Sequence, residues 1–197
     1  MMQPREAMAD FIKTWEGGLS LNKNDTGNYV NGVLIGSNFG VTAAALAGHR
    51  KVPIAQVTAK MMAELTSLEA ADIAMAAYFL GPKLNLLVWN RVTVSIVDMG
   101  WGAGPAQAIK LLQRMIGVAD DGKMGPNTAA AFAAYIAKHG ELAVAIEWAF
   151  IRINFYIDIT EKRPANLGFL NGWTARTAYF TPSSAIRAAG WWNRFAA

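Results

Sequence analysis

Cysteine is absent from this 197-residue sequence, which excludes disulfides and thiolate metal sites. Histidine is almost absent. His49 and His139 are the only two, and no ligand cluster surrounds either. A histidine-based metal centre or triad is therefore not expected, and both read as surface or helix-end residues. Long hydrophobic runs are missing too, although 53% of the residues are apolar. The richest stretch, residues 141–160, is broken by Glu141, Glu147, Arg152 and Asp158. Nothing reaches the roughly 18 apolar residues of a membrane span. Met1-Met2-Gln3-Pro4-Arg5-Glu6 lacks a signal peptide's apolar core, so synthesis in the cytoplasm is expected. Basic runs are also lacking, despite a net charge of +4 and a pI near 9.4. Scattered positive charge suits an anionic membrane or cell wall better than nucleic acid, which is not expected as a partner.

What the sequence does have is helical patterning. Met8, Phe11, Ile12 and Trp15 follow the i, i+3, i+4, i+7 spacing of one helical face. Pro4 suits a first turn and Gly17 a stop, so a first helix is expected over residues 4–16. Asn31-Gly32 between the β-prone triplets 28–30 and 33–35 predicts a small hairpin near residues 28–36. From Val41 onward the pattern is almost wholly helical. Thr66-Ser67-Leu68-Glu69 has capping-box spacing and opens a helix to about Phe79, which Gly81-Pro82 breaks. Further helices are expected over about 90–101, through Ala108, Leu111, Leu112 and Met115, and from Gly125-Pro126 to about Lys138. Leu142, Ile146, Ala149, Phe150, Ile153 and Ile157 stripe a long one. The expected fold is mainly α, with one hairpin after the first helix.

Two carboxylates flank the first helix stop. Glu16 precedes Gly17-Gly18, and Asp25 follows nine positions later. Glycoside hydrolysis needs a protonated acid for the leaving oxygen and a second carboxylate to activate water or stabilise the cationic sugar. A helix C-terminus carries partial negative charge, and neighbouring Trp15 excludes water. Both favour the protonated form of Glu16. Asp25, on a polar loop with Asn22, Lys23 and Asn24, is expected to stay ionised. Taken alone, a glutamate before Gly-Gly also fits a solvated helix end, so spacing leaves both readings open.

Three segments carry a family resemblance. Trp15-Glu16-Gly17-Gly18, Asp25-Thr26-Gly27 and Gly36-Ser37-Asn38-Phe39-Gly40-Val41-Thr42 resemble the N-terminal half of glycoside hydrolase family 108, a group of N-acetylmuramidases that includes phage and prophage endolysins. Thr26 and Asn28 stand where the family has Pro and a second Gly, and Ser37 where it has Thr. Leu112-Gln113, Gly117, Asp121-Gly122, Gly125 and Thr128 resemble helical peptidoglycan-binding modules, and Asp98 matches that region's start. Phe169-Leu170-Asn171-Gly172-Trp173 with Arg176 resembles the family's C-terminal motif.

The resemblance implies a lysozyme-like muramidase cleaving the β-1,4 bond between N-acetylmuramic acid and N-acetylglucosamine. Glu16 would be its general acid and Asp25 its second carboxylate. Ser37 and Thr42 are weaker candidates for orienting water or substrate, and Trp101 and Trp173 for stacking on sugar. No cofactor or metal is implied, the partner is the peptidoglycan glycan strand, and a monomer is expected. Without a signal peptide, release to the wall through a holin-type pore is expected if the gene is a phage's. The expected division is a catalytic region over 1–90, a peptidoglycan-binding-like region over 91–180, and a basic aromatic tail over 181–197. That tail, with Trp191 and Trp192, is a candidate membrane contact. A lytic transglycosylase and a non-catalytic wall-binding or secretion-activating protein are the rival readings.

Overall fold

The computed structural model describes residues 3–181, so the tail beyond Thr181 and its membrane expectation lie outside the described residues. The chain divides into two compact units, one running to Ala77 and the other from Tyr78.

The first unit opens with α1 (Pro4–Trp15). Proline at the first helical position costs nothing, because that N–H has no intrahelical partner. Met8, Phe11 and Ile12 bury the face that the spacing marked, while Trp15 is half-buried. The hairpin follows as β1 (Tyr29–Val30) and β2 (Val33–Leu34), antiparallel with Val30 opposite Val33. Asn31 and Gly32 both take positive φ, at 49° and 78°, as a two-residue primed turn requires. Then come α2 (Ala43–Arg50), α3 (Ala59–Ala63) and α4 (Ser67–Met75). Each starts at a threonine cap: Thr42, Thr58 and Thr66 accept from the N–H groups of Ala45, Met61 and Glu69. Such a cap contributes about 1 kcal/mol.

The principal packing here is α1 on α4. Helix α4 buries Ala70, Ala71 and Ala74 completely; their small side chains let the two helices approach closely. Two forked ion pairs clamp α4. Arg5 of α1 reaches Asp72 at 2.6 and 2.8 Å, and Arg50 of α2 reaches Glu69 at 2.7 and 2.8 Å. Beyond Met75 the helix widens into a π turn over Ala76–Leu80, a form that sequence periodicity does not distinguish from the α-helix expected there. The boundary between the units falls inside this turn.

The second unit holds α5 (Arg91–Ala103), α6 (Pro105–Met115), α7 (Pro126–His139), α8 (Glu141–Lys162) and α9 (Leu167–Tyr179). Gly104 alone joins α5 to α6, at φ 86°, a left-handed conformation that costs a non-glycine residue about 1 kcal/mol or more. Helix α8 is central and packs on α5, α6, α7 and α9.

Its orientation corrects part of the expected stripe. Ala149 and Ile153 are buried as expected, but Leu142 is 52% exposed, and Ile146, Phe150 and Ile157 are only partly buried. The deepest line is Val144, Trp148, Arg152 and Tyr156. The helix is apolar nearly all round, so periodicity did not fix its inner face, and a charged residue turned inward. Arg152 is fully buried. Its Nη1 donates to Ser95 Oγ at 2.7 Å, and its Nη2 to Asp98 at 2.7 Å and Tyr156 Oη at 3.1 Å. Trp148 donates to the same Ser95 hydroxyl at 3.1 Å. Burial works against the Arg152 charge, but Asp98 and Tyr156 outweigh it and hold the guanidinium above its usual range.

Candidate active site

Glu16 caps the C-terminus of α1. Its N–H donates to Ile12 O at 2.9 Å, its backbone is still right-handed, and Gly17 turns the chain at φ 67°. The glutamate is half-buried. It thus sits at the negative end of the helix, as expected, with the chain leaving at once into a loop.

That loop is tied back at two places. Ser20 and Ser37 form an isolated antiparallel bridge, with N–H···O distances of 2.8 and 3.1 Å. The bridge brings backbone so close that a Cβ on Gly36 would meet Ser20 O at 2.7 Å, so only glycine fits there. The second tie is Asn28, a fully buried residue that the sequence had not marked as functional. Its side-chain amide donates to Asn22 O at 3.0 Å, and its backbone carbonyl accepts from the N–H groups of both Ile35 and Gly36. Asn28 therefore links the loop that carries Asp25 to the segment leaving the hairpin. It occupies the position where the related motif has glycine, so the departure itself was the available signal. Asn38 acts similarly, donating to Met62 O at 2.8 Å from a buried position.

Asp25 is exposed and caps a short 3-10 turn, Thr26–Asn28, its Oδ1 accepting from Gly27 N at 2.9 Å. It thus has a structural duty independent of any catalytic one. Thr42 lies against the same turn. A Cβ on Gly27 would stand 3.2 Å from Asp25 Oδ1 and 3.6 Å from Thr42 Cγ2. Ser37 enters through its backbone bridge to the loop after Glu16. Glu16, Asp25, Ser37 and Thr42 all belong to the first unit, whose fold joins their segments.

Trp101 and Trp173 belong to the second unit. Trp101 is half-buried and packs in a tilted arrangement against Tyr78, with ring centroids 4.9 Å apart. Trp173, also half-buried, lies between Tyr156 and Phe169, at 5.1 and 5.7 Å. Beside it Arg176 donates to Asp98 at 2.8 Å, so Asp98, Trp173 and Arg176 line one small cavity of about 110 Å³. The Gln113 motif is a loop clamp. Gln113 Nε2 donates to Asp121 at 2.8 Å and to Lys123 O at 3.0 Å, while its Oε1 accepts from Gly122 N at 2.9 Å. Gln113 and the Lys123 N–H hold the Asp121 carboxyl below its usual range.

Among the described residues no helix is long and apolar enough to cross a membrane. Nor do any three of their His, Asp or Glu side chains group as metal ligands. His49 and His139 lie exposed in the last turns of α2 and α7.

Residues 9–104 match the family model described as Glycosyl hydrolase 108, and residues 107–178 that described as Predicted Peptidoglycan domain. A solved structure, SagA of Brucella abortus, is similar at 26% identity and a TM-score of 0.62, covering 94% of this chain and 92% of its own. No curated protein matches.

Proposed function

We propose that this chain, in class a glycoside hydrolase acting on peptidoglycan with a glycosyl hydrolase 108 region and a predicted peptidoglycan domain, is an N-acetylmuramidase using Glu16 as general acid. The observation that carries this reading is the placement of Glu16. It is a half-buried carboxyl at a helix C-terminus, inside the segment that matches the hydrolase model. Glu16 delivers its proton to the glycosidic oxygen between N-acetylmuramic acid and N-acetylglucosamine. Asp25 then stabilises the oxocarbenium-like sugar or positions the attacking water. Ser37 and Thr42 help orient that water. The protein acts on the wall after holin-type release, as a phage or prophage endolysin.

Glu16→Gln removes the proton and keeps the shape. Reducing-end release from purified sacculi is expected to fall by about 10²- to 10⁴-fold, and unchanged release overturns the acid assignment. Asp25 supports a second reading, because one of its oxygens is already committed to capping a turn. Asp25→Asn keeps that cap and removes the charge. A large loss supports a second carboxylate. Full activity with 1,6-anhydromuramic product ends supports a lytic transglycosylase instead.

A further inference from the structure

A groove of about 400 Å³ in the second unit is lined by none of the residues assigned above to the acid–base chemistry. Its rim carries Lys83 and Lys123, and its walls include Pro82, Pro105, Ile109 and Met124. No acidic or aromatic side chain lines it. The volume lies within the roughly 300–1,000 Å³ of small-molecule sites. Lys110 adds a third cation at its edge, with its aliphatic stem over Gly122, where a Cβ would meet Lys110 Cε at 3.1 Å. Lys83 is also strained: it holds φ 63° and ψ 25°, a conformation costing a non-glycine residue about 1 kcal/mol or more. Strain on a rim cation is an outlier of the kind that collects where a ligand is held.

The excess of positive charge falls in the sequence of the second unit. Residues 1–77 contain six Lys or Arg against seven Asp or Glu, leaving −1. Residues 78–197 contain twelve against seven, leaving +5.

We propose that this groove binds the peptide stem of peptidoglycan, with Lys83 and Lys123 pairing with its carboxylates and the apolar walls receiving its alanine methyl groups. The inference rests on the peptidoglycan reading above and adds where, and through which part of the polymer, the second unit engages it. Stem and glycan are distinguished by chemistry. In an intact strand the muramic lactyl carboxyl is amide-linked to the stem, so the free carboxylates are on the peptide. A groove without aromatic faces also offers a sugar ring nothing to stack on. Asp121 lines a neighbouring groove together with Lys123, but its carboxylate is engaged by Gln113 and the Lys123 N–H.

The test is calorimetric titration of the full-length protein with the free pentapeptide stem and with the same peptide amidated at its carboxylates. The peptide has no glycosidic bond, so its binding does not depend on whether Glu16 cleaves. Hydrolysis is scored separately by reducing ends from sacculi. Wild type is expected to bind the free stem and to lose affinity for the amidated one. Lys83→Gln with Lys123→Gln should weaken binding by roughly fivefold, as two exposed charge contacts would. Lys83→Arg with Lys123→Arg should retain it, which separates charge from loss of fold. The proposal is overturned by no binding to the free stem, by equal binding to the amidated peptide, by equal loss in the Gln and Arg pairs, or by preference for a glycerol-phosphate polymer.

Discussion

Arg152 carries a full charge where neighbouring side chains exclude water, and Asp98 is the carboxylate that pairs with it. Asp98 in turn is held by Arg176, so one carboxylate bridges two guanidiniums, at 2.7 and 2.8 Å. A buried pair of this kind is weak evidence of net stability, but breaking it from one side leaves an uncompensated charge. Asp98→Ala is therefore expected to destabilise the second unit by about 3–5 kcal/mol, measured by urea unfolding. A loss within the ordinary surface range would mean that Arg152 finds water or another partner. Asp98 and Arg176 were visible in the sequence as motif residues, yet their contact spans 78 positions, and nothing local announces it. The motif residues most easily read as ligand-binding, Gln113 and Arg176, are engaged in holding loops and helices together.

At the scale of elements, local chemistry was legible and orientation was not. The Asn31-Gly32 turn, the Thr66 cap and the Gly17 stop each act within a few residues, and each appears where the sequence places it. Helix α8 shows the limit. Its apolar residues surround the axis, so which face turned inward was decided by α5, α6, α7 and α9 together. Around the candidate site, Glu16's placement at a helix end was readable, whereas the Asn28 and Ser20–Ser37 ties depend on segments up to 17 residues apart. Helix α4 offers a test of element-level coupling. Arg50 depresses the Glu69 carboxyl below its usual range, and Arg5 does the same to Asp72. Carboxylates with depressed folded values stabilise above their unfolded values, near pH 4, and lose that contribution as pH falls through the folded ones. The first unit should thus lose stability below about pH 4. Glu69→Gln should cost about 1 kcal/mol at pH 7, a figure discounted for the pair's partial exposure, and should flatten that acid loss. A pH-independent difference between the two proteins would refute the linkage.

At the scale of the whole molecule, charge and chemistry separate. The unit carrying Glu16 and Asp25 is nearly neutral, while the second unit, which holds residues 107–178 matching the peptidoglycan model and the last part of the hydrolase-matching stretch, carries the excess of cations. Electrostatic attraction to an anionic wall should therefore act through the second unit and govern residence on the polymer rather than the bond-breaking step. Screening tests the separation. Raising salt from about 10 mM to about 1 M shortens the Debye length from about 30 Å to about 3 Å, which removes attraction between exposed charges while leaving a proton transfer at contact distance intact. The fraction of full-length Glu16→Gln protein sedimenting with sacculi is expected to fall several-fold over that range. The rate at which wild type cleaves a short uncharged N-acetylglucosamine oligomer should change far less. Equal salt sensitivity in the two assays would place the charge dependence in the unit carrying Glu16, and would remove the reason to assign wall attachment to the basic one.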